Sequence, residues 1–332
     1  MAQVILAQAH GARIRITLRR RASRFRPMRR CIATVVVWVC GYELCAAIII
    51  RDDKEDAAYV VDASTYPAVF AYPLSQAKGA NCAATLIDDT HAITAAHCFS
   101  DGSPRPPFDV QIGNITHRVS AAYVNPCFDF NADGPNGADL AILVLSSASG
   151  VTPYARYASQ DEQGKTMTIL GWGDTGPAAE SQPPSDNGGQ LLRRGANVVE
   201  STEGNVLRYT MNSPADGALP LEAMGWSGDS GGPAFIELDG TTYIAGVNSG
   251  GDCCRYGSTD QFARLSSAAS RTWIDESISR GAAAAFAIPG GADHASCNSQ
   301  TVASAAASAA PAVYAFSLVA FMLACSGLPG RS

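Results

Sequence analysis

The chain has 332 residues, 47% of them hydrophobic and 16% charged, with 31 glycines and a formal charge of −6. That profile suits a turn-rich globular β domain with a core large enough to fold alone. The acidic balance argues against nucleic acid as a partner, because phosphate binding needs a clustered basic surface.

Nine arginines crowd between Arg13 and Arg30 and precede an apolar run from Cys31 to Cys40, closed by Cys45-Ala-Ala47. A basic flank, a short apolar stretch and small residues at its end are the marks of a secretory signal peptide. Residues 1–47 therefore read as an N-terminal extension with a signal, for which Met28 is an alternative start. The rival is a membrane anchor, for which the run is short and interrupted by Glu43. Of ten cysteines, three fall in this segment and Cys325 in the C-terminal tail. The even remainder fits disulfides in an oxidising compartment, and no cysteine spacing resembles a zinc site.

Over residues 48–280 short β-prone runs alternate with Gly, Pro, Asn and Asp clusters, at 84–87, 110–113, 140–145, 167–171 and 243–247. Such a pattern predicts an all-β sandwich or barrel. Segment 174–190, with three prolines and three glycines, reads as an exposed loop. A helix is expected over 266–279, where Ile274 and Ile278 recur at helical spacing beside Trp273 and Gly281 follows. Residues 281–311 are rich in Ala and Ser and read as a linker. The tail, 312–332, is almost wholly apolar and reads as a lipid-anchor signal or a membrane span.

Three segments carry chemistry. Ile93-Thr-Ala-Ala-His97-Cys98 presents a histidine at the end of a strand. Asp139-Leu-Ala-Ile-Leu places a carboxylate at the mouth of an apolar strand, with Asp129 and Asp133 as nearby rivals. Gly228-Asp-Ser230-Gly-Gly-Pro233 holds a serine in a glycine-lined turn. A serine hydroxyl needs a base near neutral pKa, and a carboxylate can hold that base in its working tautomer. The order His, Asp, Ser is one of several that build this geometry.

These segments, with Gly171-Trp-Gly173, resemble the trypsin/chymotrypsin-like serine proteases, and the resemblance runs over residues 48–278. It implies two six-stranded antiparallel β-barrels with a C-terminal helix, and His97, Asp139 and Ser230 as a triad between the barrels. Gly228 and Ser230 would supply the oxyanion-hole N–H groups, and Cys82 and Cys98 would form the disulfide beside the histidine. Asp229 would pair with a new N-terminal amine. Ile48 stands in the expected region, although the usual glycine pair after it is absent. Cleavage after Ala47 by signal peptidase would expose that amine without a separate zymogen.

The family's usual cysteine two residues before Gly228 is replaced by Trp226, leaving Cys253 and Cys254 to pair with Cys127, with Cys297 or with each other. Met224 stands at the expected pocket floor, with Ser249 and Gly251 as walls and Asp260 as a displaced negative charge. Both a basic and a large apolar substrate side chain remain open. The resemblance implies protein or peptide substrates and protein inhibitors as partners, and no metal or cofactor is implied; membrane attachment is read from the apolar tail alone. A catalytically inactive binding protein on the same fold is the alternative, and an esterase a further one. Asn114-Ile-Thr116 is a glycosylation sequon.

Overall fold

The computed structural model describes residues 48–73, 81–99, 105–129, 137–173, 175–178, 191–252 and 254–280. The signal segment, linker, tail, Cys253 and Cys297 lie outside the described residues.

In chain order the strands are β1 (Ile49–Ile50), β2 (Val69–Pro73), β3 (Asn81–Leu86), β4 (His91–Thr94), β5 (Phe108–Ile112), β6 (Ile115–Val124), β7 (Ala141–Leu145), β8 (Thr166–Gly171), β9 (Gly176–Pro177), β10 (Arg193–Val198), β11 (Val206–Thr210), β12 (Ala223–Met224), β13 (Pro233–Leu238), β14 (Thr241–Asn248) and β15 (Thr259–Arg264), followed by helix α1 (Ala268–Ser279). Two barrel-like six-stranded antiparallel sheets result, ordered β2-β3-β4-β7-β6-β5 and β10-β8-β13-β14-β15-β11. This is the architecture that the resemblance implies.

Local chemistry explains the strands. β7 is buried at all five positions, as its unbroken Ala-Ile-Leu-Val-Leu run requires of a central strand. β5 alternates, with Val110 and Ile112 inward and Asp109 and Gln111 outward. Two-residue turns join the hairpins: Gly113-Asn114 links β5 to β6, and Asp239-Gly240 links β13 to β14. Asp239 and Gly240 have φ of 52° and 75°, the left-handed values a twisted two-residue hairpin demands.

The helix starts two residues later than its periodicity predicts. Ser267 caps it by accepting from Ser270 N, while Ser266 donates instead to Glu162. Trp273 and Ile274 bury in a core cluster that draws on both six-stranded sheets. Within segment 174–190, residues 175–178 depart from the reading as an exposed loop, and the rest of it lies outside the described residues. Gly176–Pro177 pair in parallel with β1, and Thr175, Gly176 and Ala178 are buried. Turn-forming composition reports backbone preference, but here the second barrel covers part of that backbone.

Glu162, fully buried, accepts from Arg264 Nε and Nη2 at 3.0 and 2.6 Å as well as from Ser266. It thereby ties the connection between the barrels to β15 and the entry of the helix. Glu162→Ala leaves the Arg264 guanidinium without its carboxylate. It is expected to lower unfolding free energy by about 3–5 kcal/mol, read as a reduced urea midpoint at unchanged slope.

Candidate functional site

The site is assembled at strand ends. β4 and β7 run antiparallel with Thr94 opposite Ala141. His97, three residues beyond Thr94, and Asp139, two before Ala141, therefore emerge at the same end of the first barrel. In the second barrel Pro233 of β13 lies opposite Val247 of β14. Ser230, three residues before β13, and Ser249, one after β14, share an end in the same way.

The barrels meet there. Asp139 is 1% exposed and takes three donors: His97 N at 2.8 Å, His97 Nδ1 at 2.7 Å and Ser249 Oγ at 2.5 Å. The His97 side chain stays 30% exposed. Burial presses its pKa down, but the Asp139 charge and hydrogen bond outweigh that and raise it above the usual 6.5. Ser230 O accepts from Ala83 N of β3 at 2.7 Å, and Gly231 N donates to Asn248 O at 3.0 Å. The serine turn is thus fastened between the strand that precedes the His97 hairpin and the residue that precedes Ser249. Only glycine fits after the serine: Gly231 has φ +79°, and a Cβ there would stand 2.2 Å from Thr94 Oγ1 and 2.3 Å from Ala83 O.

Within the turn the N–H groups of Asp229, Gly231 and Gly232 are spent on backbone carbonyls. Among the described residues those of Gly228 and Ser230 have no acceptor. Gly228 adopts φ +93°. The Cys82–Cys98 disulfide forms, and it lies beside the His97 ring. Its sulfurs are bonded to one another and offer no thiolate for a metal. Cys127 and Cys254 are also disulfide-bonded.

Asp229 is fully buried, with Oδ1 accepting from Gly173 N and Oδ2 from Trp226 N, both at 3.0 Å. Burial pushes its pKa up to about 7 despite those donors. Ile48 is buried too, and its carbonyl accepts from Thr175 Oγ1 at 3.0 Å. β1 then lies antiparallel to β12, Ile49 opposite Met224, on the chain segment that leads to Asp229.

Met224 is fully buried in the second barrel's core with Ile49, Tyr209 and Phe262. Asp260 is 4% exposed, and its Oδ2 accepts from Tyr209 Oη at 2.6 Å and its Oδ1 from Gln261 N at 2.8 Å. Burial raises its pKa to about 6. Its two oxygens face the missing side chains of Gly225 and Gly251, each 2.9 Å from where a Cβ would be. The buried Asn248 Nδ2, without a partner among the described residues, points to the same space at Gly225. Asp260 and Gly251 line a cleft with Gly250 and Thr259. Asn114 is exposed at its hairpin tip, and His91 is buried on β4 with Nδ1 2.8 Å from Asp88.

Sequence reading missed one partner. Beyond the pocket-wall place expected of Ser249, its hydroxyl donates to Asp139, 110 residues away. No local pattern signals a contact at that separation.

A family model described as Trypsin matches residues 62–274. The chain is similar to the mouse hepatocyte growth factor activator serine protease, 25% identical over 191 residues, covering 52% of this chain and 29% of that protein. The human counterpart is 24% identical with the same coverage. Human serine protease 41 is 24% identical over 204 residues, 52% of this chain and 61% of that protein. The chain thus spans less than a third of the first two relatives and under two thirds of the third.

The His97 ring is expected to titrate above 6.5 by NMR. In Asp139→Asn the midpoint is expected to fall to or below that value, because burial then acts without the carboxylate charge. An unchanged midpoint would remove Asp139 as the cause.

Proposed function

The chain belongs to the trypsin family of serine proteases, and from that membership we propose that it is a secreted or surface-anchored serine endopeptidase working through an acyl-enzyme. The observation that carries the reading is the 2.7 Å bond from His97 Nδ1 to buried Asp139, with the His97 side chain still 30% exposed. Asp139 holds the tautomer that leaves Nε2 a base. Nε2 takes the Ser230 Oγ proton as Oγ attacks the scissile carbonyl. The unspent N–H groups of Gly228 and Ser230 receive the oxyanion, each such donor being worth about 3–4 kcal/mol. Imidazolium then protonates the leaving amine, and water enters by the same route to release the acyl group.

The buried Asp229 carboxylate needs a cation near neutral pH. Cleavage after Ala47 would supply one as the Ile48 amine, on a segment already docked against β12. Disulfide bonding at Cys82, Cys98, Cys127 and Cys254 supports an oxidising compartment, reached through the signal within 1–47. The exposed Asn114 suits a glycan, and residues 312–332 attach the protease, joined by the 281–311 linker, to a membrane. Substrates are proteins or peptides. Asp260, opened toward the cleft by Gly225 and Gly251, favours a basic side chain over an apolar one, because a cation offsets its burial.

A fluorophosphonate probe is expected to label secreted protein whose N-terminus is Ile48, and labelling is expected to vanish in Ser230→Ala. Folded wild type that resists the probe would favour the inactive binding-protein reading. In a peptide library, Lys or Arg is expected before the cleaved bond. Asp260→Asn is expected to lower kcat/KM for those peptides at least about thirtyfold, the effect of unpairing a buried charge. A preference for apolar residues, kept in the variant, would assign Asp260 to the Tyr209 hydrogen bond alone.

A further inference from the structure

β1 contributes only two residues to its three-stranded sheet, ordered β12-β1-β9. So short a ladder offsets little of the entropy lost in ordering a chain end. The residues that follow it supply the remainder through side chains. Arg51, 8% exposed, donates from Nη1 to Leu219 O at 2.7 Å and from Nε and Nη2 to Asp53 at 2.8 and 2.6 Å. Arg51 N donates to Tyr59 Oη at 3.3 Å, and that hydroxyl donates to Glu222 O at 3.0 Å.

Asp52 is joined to Tyr256 twice. Asp52 N donates to Tyr256 Oη at 3.0 Å, and the hydroxyl donates to Asp52 Oδ1 at 2.6 Å. The two residues are 204 apart in sequence. Tyr256 belongs to the segment that enters β15. On that segment Gly257 N donates to Met211 O, Ser258 O accepts from Met211 N, and Asp260 follows at the cleft. Arg51 and Asp52 are thus bonded to the second barrel rather than free to hinge.

We propose that Tyr256, acting through Asp52, is a positioning residue that couples docking of the Ile48 terminus to the 254–260 rim of the substrate cleft. The inference rests on the proposed pairing of the Ile48 amine with Asp229. Two of the devices that hold the inserted strand are then the amine–carboxylate pair and the Asp52–Tyr256 clamp. Deprotonating the amine at alkaline pH removes the first device. The pH at which the strand withdraws depends on how much the second contributes.

The charged groups that face this arrangement are Asp229 and Asp260 from the second barrel, Arg193 of β10, whose charge acts on Asp229, Glu222, whose charge acts on Tyr59, and Arg51, Asp53 and Lys54 beside Asp52. Tyr59, Tyr209 and Tyr256 are the titratable hydroxyls. Burial, followed by the bond to Asp52, holds the Tyr256 hydroxyl up to about 12, so it keeps its proton across the range where an amine titrates.

The test uses mature enzyme beginning at Ile48, comparing wild type with Tyr256→Phe, which deletes only the hydroxyl. Loss of a hydrogen bond to a charged group weakens docking by on the order of tenfold. The alkaline limb of kcat/KM is therefore expected to move about one pH unit toward neutrality. Reductive methylation of the Ile48 amine at neutral pH is expected to run about tenfold faster, while Ser230 remains reactive to a fluorophosphonate. Asp52→Ala, at an exposed position, is expected to give the same shifts, and Asp52→Asn, which keeps an acceptor, smaller ones. Variants with the wild-type limb and labelling rate would overturn the clamp while leaving the protease reading intact. A wild type fully active with its Ile48 amine blocked would overturn the ion pair on which the clamp rests.

Discussion

The buried carboxylate of Asp139 is the group around which the two barrels are set. A carboxylate that is 1% exposed has lost almost all its water, and an unpaired charge in such a place costs several kcal/mol. Three donors replace that water, two from His97 in the first barrel and one from Ser249 in the second. Displacing the barrels would strip the carboxylate of a donor. The docking of the halves and the orientation of the imidazole are therefore one constraint.

Asp229, within the serine turn, and Asp260, on β15, are compensated differently. Among the described residues their donors are backbone N–H groups and one tyrosine hydroxyl, with no ion pair to either carboxylate. Burial accordingly lifts their pKa values to about 7 and about 6. Below those values the folded state holds protons that the unfolded state, with carboxyls near 3.8, has released. Stability contributed by these groups is thus present at low pH and declines as pH rises from about 4 to about 7. A cation delivered to each reverses that decline. A protease would have two to deliver, one from its own chain end and one from its substrate.

The space around these carboxylates depends on glycine. Gly231 lets the serine turn approach β3 and β4 within a distance no Cβ would permit, and Gly225 and Gly251 leave the Asp260 oxygens uncovered on the cleft side. The clamp from Asp52 to Tyr256 then reaches the same rim from the chain's beginning. Pocket, serine turn and N-terminal strand are adjacent in space, so a change in one alters what the others require.

The sequence by itself determined the short-range features. The buried run of β7, the alternation of β5, the hairpin turns at Gly113-Asn114 and Asp239-Gly240, and the glycine-lined turn around Ser230 follow from backbone preference and the periodicity of apolar residues, which act over a few positions. The residue types and order of the His97, Asp139 and Ser230 segments are legible for the same reason, as is the pairing of Cys82 with Cys98 once the family resemblance is recognised. Only the tertiary structure decided the rest: Ser249 bonding Asp139, the burial of 175–178 in a segment whose composition reads as loop, Asp260 between two glycines, and Asp52 bonded to Tyr256. Each depends on how one barrel's surface covers another part of the chain, and packing across 100 or 200 residues leaves no periodic trace along the sequence.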